Sequence, residues 1–507
     1  MTVIGQARDV DVHEGTGPLP GGVLRLLEDW LPGRRWYPIP GNGVRHVPWC
    51  TVVLASGTTT ETDAPADVVV PLLRLTGPGL PDSSDEGALV IQVPLVLRPA
   101  GGRPAGGSAG VPPEEPDGEP AEEPGLIGVV DTPAGPVSVY DGGADPAAWR
   151  AYLAAALAGR GPEEYTPGPS DAELAEAHPL GGEQSNSSVL VPGLRPPIPG
   201  FPGELADGVI LKILRTVPLG PHPDVVVPEA LTRAGWKGVP RYLGAVELPH
   251  ENPAEPHDAP VAHLAVVAEL ITEADDGFEL ACAHASEGVA FDEQAAALGA
   301  AVAHLHAALA VARPTDATLD ASGFMGVLRR RAAEAIADVT ELAPHRGGIT
   351  AFYDEVSDRL SAVTAERPIP LQAIHGDLHL GQVLHARDGW KVLDFEGEPQ
   401  RPVAERTAPD LPLRDVAGLL RSFDYAAAVG EAKDPDWSGD AQLSFLEGYR
   451  EAAGDAPASS ALDVTTASLL LRALTLDKAL YETVYESRHR PAWLPIPLTA
   501  VSRTLSR

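Results

Sequence analysis

At 507 residues, with 44% hydrophobic side chains, the chain has room for two or more domains, each with its own core. Its 71 acidic residues outnumber 37 basic ones, and the net charge of −34 argues against nucleic acids and anionic membranes as partners, because both would be repelled. Two cysteines, Cys50 and Cys282, make no disulfide framework, and we find neither a secretory leader nor an apolar stretch long enough to span a bilayer, so we expect a cytoplasmic protein.

The first part of the chain has the pattern of a small sheet with one helix. Helical spacing covers Val23 to Trp30. Strand-like runs follow at Trp49 to Leu54, Ala66 to Leu75, Ala88 to Leu97, Leu126 to Val130 and Val137 to Tyr140, and a helix is predicted from Ala147 to Ala158. Residues 99–124 are rich in Pro, Gly and Glu and lack packing residues, so we predict a disordered linker there.

A polar turn and a lysine-bearing strand come next. The turn, Gly181 to Val191, is led by glycines and contains Gln184, Ser185, Asn186, Ser187 and Ser188, whose backbone N–H groups and small side chains could cradle phosphate oxygens. Gly/Ser turns are common, so this signal is weak alone. Lys212 lies in an apolar strand, Gly208 to Leu214, and it is the first of only five lysines. A lysine there is costly unless it is paired or binds an anion, so we predict that it grips phosphate; the alternative is an edge-strand lysine that reaches solvent.

A further apolar strand, His263 to Leu270, ends near Glu269 and Ile271. In a bilobal kinase this position is the hinge, whose backbone meets the adenine ring. Helices are predicted beyond it at Phe291 to Ala310, Gly323 to Leu342 and Ile349 to Ala365, and His304 and His306 are interpreted as packing or surface residues.

The most informative stretch runs from Ile374 to Glu396. The Asp-Gly pair at Asp388 predicts a tight turn between two short strands, Gln382 to His385 and Trp390 to Asp394. Such a hairpin brings Gln382 opposite Asp394, with Asp377 in the loop that leads to the same end. Phosphoryl transfer uses this set: one carboxylate accepts the proton of an acceptor hydroxyl, while a second carboxylate and an amide oxygen hold Mg²⁺ against ATP. Protein kinases have an Asn and Asp-Phe-Gly where this chain has Gln382 and Asp-Phe-Glu.

Two alternatives stay open at this stretch. His375, Asp377 and His379 alternate and could be metal ligands of a hydrolase on one strand face, although Gly376 weakens a strand. The stretch could also be a buried loop whose polar groups are merely satisfied. Further on, Asp415 could brace the catalytic loop by accepting backbone hydrogen bonds, or it could be a carboxylate that favours the start of a helix.

The C-terminal region contains a helix from Leu476 to Arg490. Tyr481, Tyr485 and Arg488 fall on one face, and Glu482 and Glu486 form a second polar line beside it. Aromatic rings with charged neighbours suit a sugar, but an ordinary amphipathic helix is slightly favoured by spacing alone. Trp493 to Pro497 is predicted to be a rigid extended tail.

These motifs together resemble the maltokinases of actinobacteria. The matching segments are Arg35-Trp36-Tyr37, Glu183 to Ser188, Ile210 to Lys212, His375 to Leu384, Asp394 to Pro399, Pro412 to Ala417 and Asp477 to Pro497. The resemblance implies an α+β, bilobal, protein-kinase-like fold. Its parts are a cap subdomain at 1–98, the linker at 99–124, a nucleotide-binding region at 125–272 and a helical lobe at 273–507. It also implies transfer of the ATP γ-phosphoryl group to the anomeric hydroxyl of maltose, which feeds glycogen synthesis, with trehalose synthase as a partner.

The resemblance also implies roles for single residues. Asp377 corresponds to the catalytic base, and Gln382 and Asp394, with Glu396 nearby, correspond to the Mg²⁺ ligands. Lys212 corresponds to the phosphate grip, with Glu229 as the best candidate for its acidic partner. The implied sugar contacts are His375, His379, Tyr481, Tyr485, Glu486 and Arg488. Two other functions remain open: a glucosamine or aminoglycoside kinase of the same fold, for which Glu482 and Glu486 would suit an amino group, and a non-catalytic scaffold for trehalose synthase.

Overall fold

The computed structural model describes residues 11–39, 43–58, 65–77, 80, 89–100, 125–158, 169–181, 185–248, 262–398, 406–454 and 462–506. The chain divides into two compact units. The first unit comprises Met1–Glu229 and Arg241–Thr272, and the second comprises Ala230–Pro240 and Glu273–Arg507.

One antiparallel sheet fills the N-terminal part of the first unit. Its strands, within the described residues, are β1 Asp11–Glu14, β2 Arg45–Thr58, β3 Ala66–Thr76, β4 Val90–Gln92, β5 Leu95–Pro99, β6 Leu126–Thr132 and β7 Gly135–Asp141. Their order is β1-β2-β3-β5-β7-β6, and β4 pairs with β3. Helix α1, Val23–Trp30, buries Val23 and Leu27 against the sheet. The sheet therefore continues across the 99–124 segment, which the sequence suggested as a boundary between two subdomains.

The predicted strand from Ala88 to Leu97 is broken in the structure. Pro94 lies between β4 and β5, and a proline has no N–H group to donate to a ladder. Pro99 is the last residue of β5, and the Ala100 N–H donates to the Pro136 carbonyl at 2.8 Å, so the predicted linker begins with a strand residue and a residue bonded to the sheet. Residues 101–124, the rest of that linker, lie outside the described residues.

A second antiparallel sheet completes the first unit. It contains β8 His178–Pro179, β9 Ser187–Val191, β10 Val209–Ile213, β11 Tyr242–Leu248 and β12 Ala262–Glu269, in the order β11-β12-β10-β9-β8. Helix α2, Pro146–Leu157, shares one apolar core with strands of both sheets, and helix α3, Asp171–Leu174, follows it. The buried amide of Gln92 joins the sheets by donating to the carbonyls of Leu214 and Leu264, while its oxygen accepts from Tyr152 at 2.8 Å.

Helices dominate the second unit. Helix α4, Pro223–Arg233, begins in the first unit and ends in the second. The others, within the described residues, are α5 Gly277–Glu287, α6 Asp292–Ala312, α7 Ala321–Asp338, α8 Arg346–Glu366, α9 Leu413–Val429, α10 Trp437–Ala453, α11 Val464–His489 and α12 Pro495–Leu505. A small sheet of β13 Asp275–Asp276, β14 Val383–Ala386 and β15 Gly389–Val392 accompanies them.

Helix α6 changes one sequence-based expectation. By length and composition it is the one helix of the described ranges that could cross a membrane, whereas we expected no such stretch. In the structure it packs tightly on α10: a Cβ at Gly299 would lie 2.1 Å from the Phe445 carbonyl oxygen, and one at Gly448 would lie 2.0 Å from the Ala296 carbonyl oxygen. The apolar residues of α6 are therefore explained by its packing against α10 inside the helical unit.

The predicted extended tail at Trp493 to Pro497 is wrong. A 3₁₀ turn covers Pro491–Trp493 and helix α12 starts at Pro495. Proline is tolerated in the first helical turn because its missing N–H group would have no helical acceptor there. Pro495 and Pro497 therefore lie in the first turn of a helix and do not indicate an extended tail.

Candidate active site

Asp415 holds the backbone of the loop that carries Asp377. It lies in the first turn of α9, is 1% exposed, and accepts hydrogen bonds from the N–H groups of His375 at 2.8 Å and Gly376 at 2.9 Å. Burial acts to raise the pKa of Asp415, but the hydrogen bond and charge of His306 and the loop contacts outweigh it, so the pKa is lowered. Asp415 thus both braces the loop and stands at a helix start, the two roles that the sequence left open.

The two histidines of α6 lie where the sequence suggested. His306 is buried and contacts Asp415 at 3.0 Å and the Tyr449 hydroxyl at 2.9 Å, whereas His304 is exposed. His306 therefore supports the loop of Asp377 indirectly, because it contacts the Asp415 carboxylate that binds the loop backbone.

His375 lies inside the loop, with both ring nitrogens occupied. Its Nε2 lies 2.7 Å from the Leu393 carbonyl oxygen, and its Nδ1 accepts the Asp377 N–H at 3.3 Å. The ring is 1% exposed and packs on Phe395 with 4.9 Å between centroids. This geometry connects the loop to the segment after the hairpin and does not support the predicted sugar contact of His375.

His379 also uses a ring nitrogen locally. Its Nδ1 accepts the Gly381 N–H at 3.1 Å, and burial lowers its pKa although the Asp377 carboxylate acts in the opposite direction. Among the described residues, His375, Asp377 and His379 do not form a three-ligand cluster, so the hydrolase alternative lacks support.

The predicted hairpin is present and brings its two polar ends together. Strands β14 and β15 pair with Val383 opposite Val392, and the Gln382 amide donates to Asp394 Oδ2 at 2.9 Å. Asp394 has a φ of 58°, a conformation that aspartate adopts more readily than most residues and that often marks functional sites. Carboxylate oxygens of Asp394 and Glu396 lie within 4.8 Å of each other. These oxygens and the Gln382 amide oxygen are hard donors, a set that fits Mg²⁺.

Lys212 lies on a central strand of the second sheet, which excludes the edge-strand alternative. Strand β10 pairs with β9 on one side and β12 on the other. Lys212 Nζ lies 2.8 Å from Asp224 Oδ2, and the two side chains are 17% and 9% exposed. Asp224 lies in the first turn of α4, a helix that the sequence did not predict there, so the observed acidic partner is Asp224, where we had named Glu229.

Two buried histidines, His222 and His263, are connected to this ion pair through the Asp224 backbone. His222 Nδ1 accepts the Asp224 N–H at 3.2 Å, and the His222 N–H donates to His263 Nδ1 at 3.0 Å. Because that nitrogen is an acceptor, folded His263 must be neutral. Burial, with a smaller effect of His222, lowers its pKa from 6.5 to about 4.

We expect His263 to make the protein less stable in mild acid. Its pKa in the folded state lies below that in the unfolded state, so the unfolded chain binds the extra proton between pH 6.5 and 4. The contribution of His263 to the free energy of unfolding is therefore complete above pH 6.5. It is lost as the pH falls toward 4, by up to about 3 kcal/mol. His263→Asn keeps an acceptor but does not titrate, so its urea midpoint should vary less over this range than that of the wild type. The exposed His304→Asn variant serves as the control, and equal pH dependence in all three proteins would contradict the assignment.

In the glycine-led turn Ser185 is exposed, whereas Asn186 and Ser188 are buried. The Arg215 backbone N–H donates to Asn186 Oδ1 at 3.3 Å, and the Arg215 Nε donates to the Ser187 hydroxyl at 2.8 Å. Arg215 is 1% exposed, contacts Asp141 at 3.1 Å and lies 4.4 Å over the Trp36 ring. Asn186 and Ser187 are thus held by their own unit, which leaves backbone N–H groups and the exposed Ser185 hydroxyl as the means of holding phosphate. Gln184 lies outside the described residues.

Of the two predicted hinge residues, Glu269 is hydrogen-bonded within its own unit and Ile271 is not, within the described residues. The Glu269 N–H donates to the Arg241 carbonyl at 2.9 Å, and its carboxylate pairs with the Arg241 guanidinium. Ile271 follows the strand and makes no such backbone bond within the described part of the chain. A backbone contact to a base therefore stays a prediction for Ile271 and is less suited to the Glu269 N–H.

A cavity of about 290 Å³ opens beside Asp377 in the second unit. Tyr481 and Arg488 line it, as predicted for a sugar pocket, whereas Tyr485, Glu486 and His379 do not. Its charged lining residues are Arg331, Glu334, Asp338, Asp377, Glu398, Arg414, Asp477, Lys478 and Arg488.

Glu482 and Glu486, the second polar line of α11, form buried ion pairs within the helical unit. Glu486 is 1% exposed, pairs with Arg490 at 2.7 Å and accepts from the Tyr425 hydroxyl at 3.1 Å. Glu482 is buried against Arg421 at 2.8 Å. Neither carboxylate is available to a sugar, which corrects the prediction for Glu486.

Sequence reasoning missed Lys478 and Glu398. Lys478 Nζ lies 2.9 Å from Asp377 Oδ1 and 2.6 Å from Glu398 Oε1, and it lies 5.0 Å over the Tyr481 ring. Burial acts against its charge, but Asp377 and Glu398 outweigh it, so the pKa of Lys478 is raised. The scarcity of lysine was the available signal, because Lys478 is one of only five in the chain.

Comparison with known proteins identifies the family of this chain. The model of the phosphotransferase enzyme family (APH) matches residues 258–461. A glucosamine kinase of Streptacidiphilus jiangxiensis is 30% identical over 375 residues, which cover 68% of this chain and 78% of that protein. A glucosamine kinase of Mycolicibacterium smegmatis is 29% identical over 344 residues, which cover 64% of this chain and 79% of that protein.

A solved structure shows the same fold. A glucosamine kinase in complex with glucosamine, ADP and inorganic phosphate aligns with a TM-score of 0.55 at 23% identity, covering 96% of this chain and 99% of that one. The predicted α+β kinase-like fold, with a β-rich N-terminal region and a helical C-terminal region, is confirmed. The relatives are named glucosamine kinases, so the specific resemblance to maltokinases is not confirmed.

Proposed function

Because this chain belongs to the APH phosphotransferase family, we propose that it is an ATP-dependent sugar kinase that works with Mg²⁺. The observation that carries the proposal is the meeting of Gln382 and Asp394 at the end of the hairpin, in the same unit as the braced loop of Asp377. This is the set that direct phosphoryl transfer requires. A non-catalytic scaffold would not need it, and a partnership with trehalose synthase and a cytoplasmic location stay predictions.

In this mechanism Asp377 orients the acceptor hydroxyl and takes its proton as the sugar oxygen attacks the γ-phosphorus. Asp394 and Gln382, with Glu396 nearby, would hold the cation. When bound, Mg²⁺ neutralises negative charge that develops on the phosphates. Lys212, oriented by Asp224, binds phosphate oxygens, and the Ser185–Ser188 turn offers backbone N–H groups to them.

We propose glucosamine as the first acceptor to test. Both curated relatives above carry that name, and the cavity of about 290 Å³ lies at the small end for ligand pockets, which favours a monosaccharide. Glu334 lines the cavity on α7 and has no ion pair among the described residues, so it could meet an amino group. Maltose remains the second candidate, supported by the motif resemblance and by Tyr481 and Arg488 on the cavity wall.

We expect glucosamine to give the highest kcat/KM in an ADP-release assay against glucose, maltose and kanamycin. Glu334→Gln should lower kcat/KM for glucosamine by up to about fivefold, the range of an exposed ion pair, and leave glucose unchanged. A preference for maltose would decide for the second candidate. No acceptor-dependent ADP release with any sugar would contradict the proposed function.

A further inference from the structure

One ammonium group connects the proposed catalytic base to a second, buried carboxylate. Lys478 Nζ bridges Asp377 Oδ1 at 2.9 Å and Glu398 Oε1 at 2.6 Å, and Glu398 is 4% exposed. The aliphatic stem of Lys478 comes from α11, which is anchored nearby by the buried pair of Glu482 and Arg421. The ammonium is therefore held from several sides.

The contact with Lys478 uses one of the two carboxylate oxygens of Asp377 and leaves the other for the acceptor. Within the described residues, Lys478 is the one side chain that donates to the Asp377 carboxylate, and it uses Oδ1. Oδ2 accepts no hydrogen bond from a side chain in the described part of the chain, which leaves it for an acceptor hydroxyl. The Asp377 N–H is fixed at the same time by His375 Nδ1, so both backbone and side chain of the base are oriented.

We propose that Lys478 is a positioning residue for phosphoryl transfer, which holds Asp377 by Oδ1 so that Oδ2 faces the acceptor. The inference rests on the proposed kinase function. As the sugar O–H bond breaks, its proton goes to Asp377 Oδ2, the new O–P bond forms at the γ-phosphorus, and the bond to the β-phosphate oxygen of ADP breaks. Lys478 keeps its three protons throughout, and Asp377 later releases its proton to water.

The charge of Lys478 also acts on the cavity. Its single positive charge lies between the carboxylates of Asp377 and Glu398. The nearby carboxylate of Asp477 is paired separately, with Arg331 at 3.3 Å and Arg414 at 3.2 Å. An acceptor hydroxyl therefore meets a carboxylate that is already oriented and partly neutralised. A base without this partner would be free to rotate, and orientation of a base is worth a large part of its effect.

Steady-state kinetics of Lys478 variants test the role, with the best acceptor of the wild type. Lys478→Met should lower kcat about 100-fold with an unchanged KM for ATP, Lys478→Arg should retain more activity than Lys478→Met, and exposed Lys433→Met should behave as wild type. Methylammonium should raise kcat of Lys478→Ala in a saturable manner, which a purely structural role would not produce.

A double variant separates orientation of the base from pairing of Glu398. Lys478→Met with Glu398→Gln removes both buried charges, so it should fold even where Lys478→Met does not. If the lysine acts on Asp377, the double variant keeps the loss in kcat. Recovery of wild-type kcat in the double variant, or an unchanged kcat in folded Lys478→Met, would overturn the positioning role alone. A wild type without kinase activity would overturn the proposed function, and the role of Lys478 with it.

Discussion

Replacing Asp377 with asparagine is expected to lower kcat by about 10²- to 10⁴-fold, the usual contribution of a positioned general base. Asparagine keeps the shape of the side chain but cannot accept the proton of the acceptor hydroxyl. The backbone of the loop should keep its form, because its hydrogen bonds run to Asp415 and His375. Binding of Mg·ATP, measured by calorimetry, should therefore change little.

Asp358→Asn provides a matched control for this variant, since it makes the same chemical change at an exposed position on α8. Its kcat and its binding of nucleotide should equal those of the wild type. A kcat for Asp377→Asn within tenfold of the wild type would count against Asp377 as the base. A loss of nucleotide binding would instead indicate that the loop had collapsed.

The catalytic hairpin could be predicted because its information is local. Gln382 and Asp394 are 12 residues apart, and the Asp-Gly turn between them fixes which positions face each other. Asp415 is a different case: its place at a predicted helix start left two roles open, and its contacts with His375 and Gly376 join residues about 40 positions apart. Lys212 was identified because a lysine in an apolar strand must have a partner, although the partner itself was not.

The contacts made by α11 could not be predicted in this way. Helical spacing shows which residues share a face, but it does not show which face meets solvent. Glu486 was assigned to a sugar, yet it is buried against Arg490 and Tyr425. Lys478 lies 101 residues from Asp377 in sequence, and no local pattern joins residues so far apart.

The acidic partner of Lys212 illustrates a third limit. The sequence analysis predicted no helix in this segment, and Pro228 lies inside it; an internal proline removes a hydrogen bond and clashes with the preceding turn. The structure nevertheless forms α4 across Pro228, and buried Val225 packs with Leu214, just after β10, and with Val266 of β12. Tertiary packing outweighed the local penalty and brought Asp224 to Lys212.

Lys212→Met is expected to raise the KM for ATP and to lower kcat, with a combined loss in kcat/KM of about 10²- to 10³-fold. This is the range found when one preorganised electrostatic donor is removed from a transition state. Methionine fills the space of the lysine stem but provides no charge for phosphate. The matched control is Lys237→Met, which removes a lysine from an exposed position and should leave kcat/KM unchanged.

The ion pair with Asp224 allows loss of the phosphate grip to be distinguished from loss of folding. Lys212→Met removes the ammonium group that lies 2.8 Å from the carboxylate of Asp224, which is 8% exposed, and removing one member of a buried ion pair is destabilising. Lys212→Met with Asp224→Asn removes that charge as well, so its thermal unfolding midpoint should approach that of the wild type. Because the neutral amide introduced by Asp224→Asn cannot replace the charge of the lysine on phosphate, kcat/KM should stay low in the double variant. Restored activity would show that Lys212 serves to neutralise Asp224 and does not bind nucleotide.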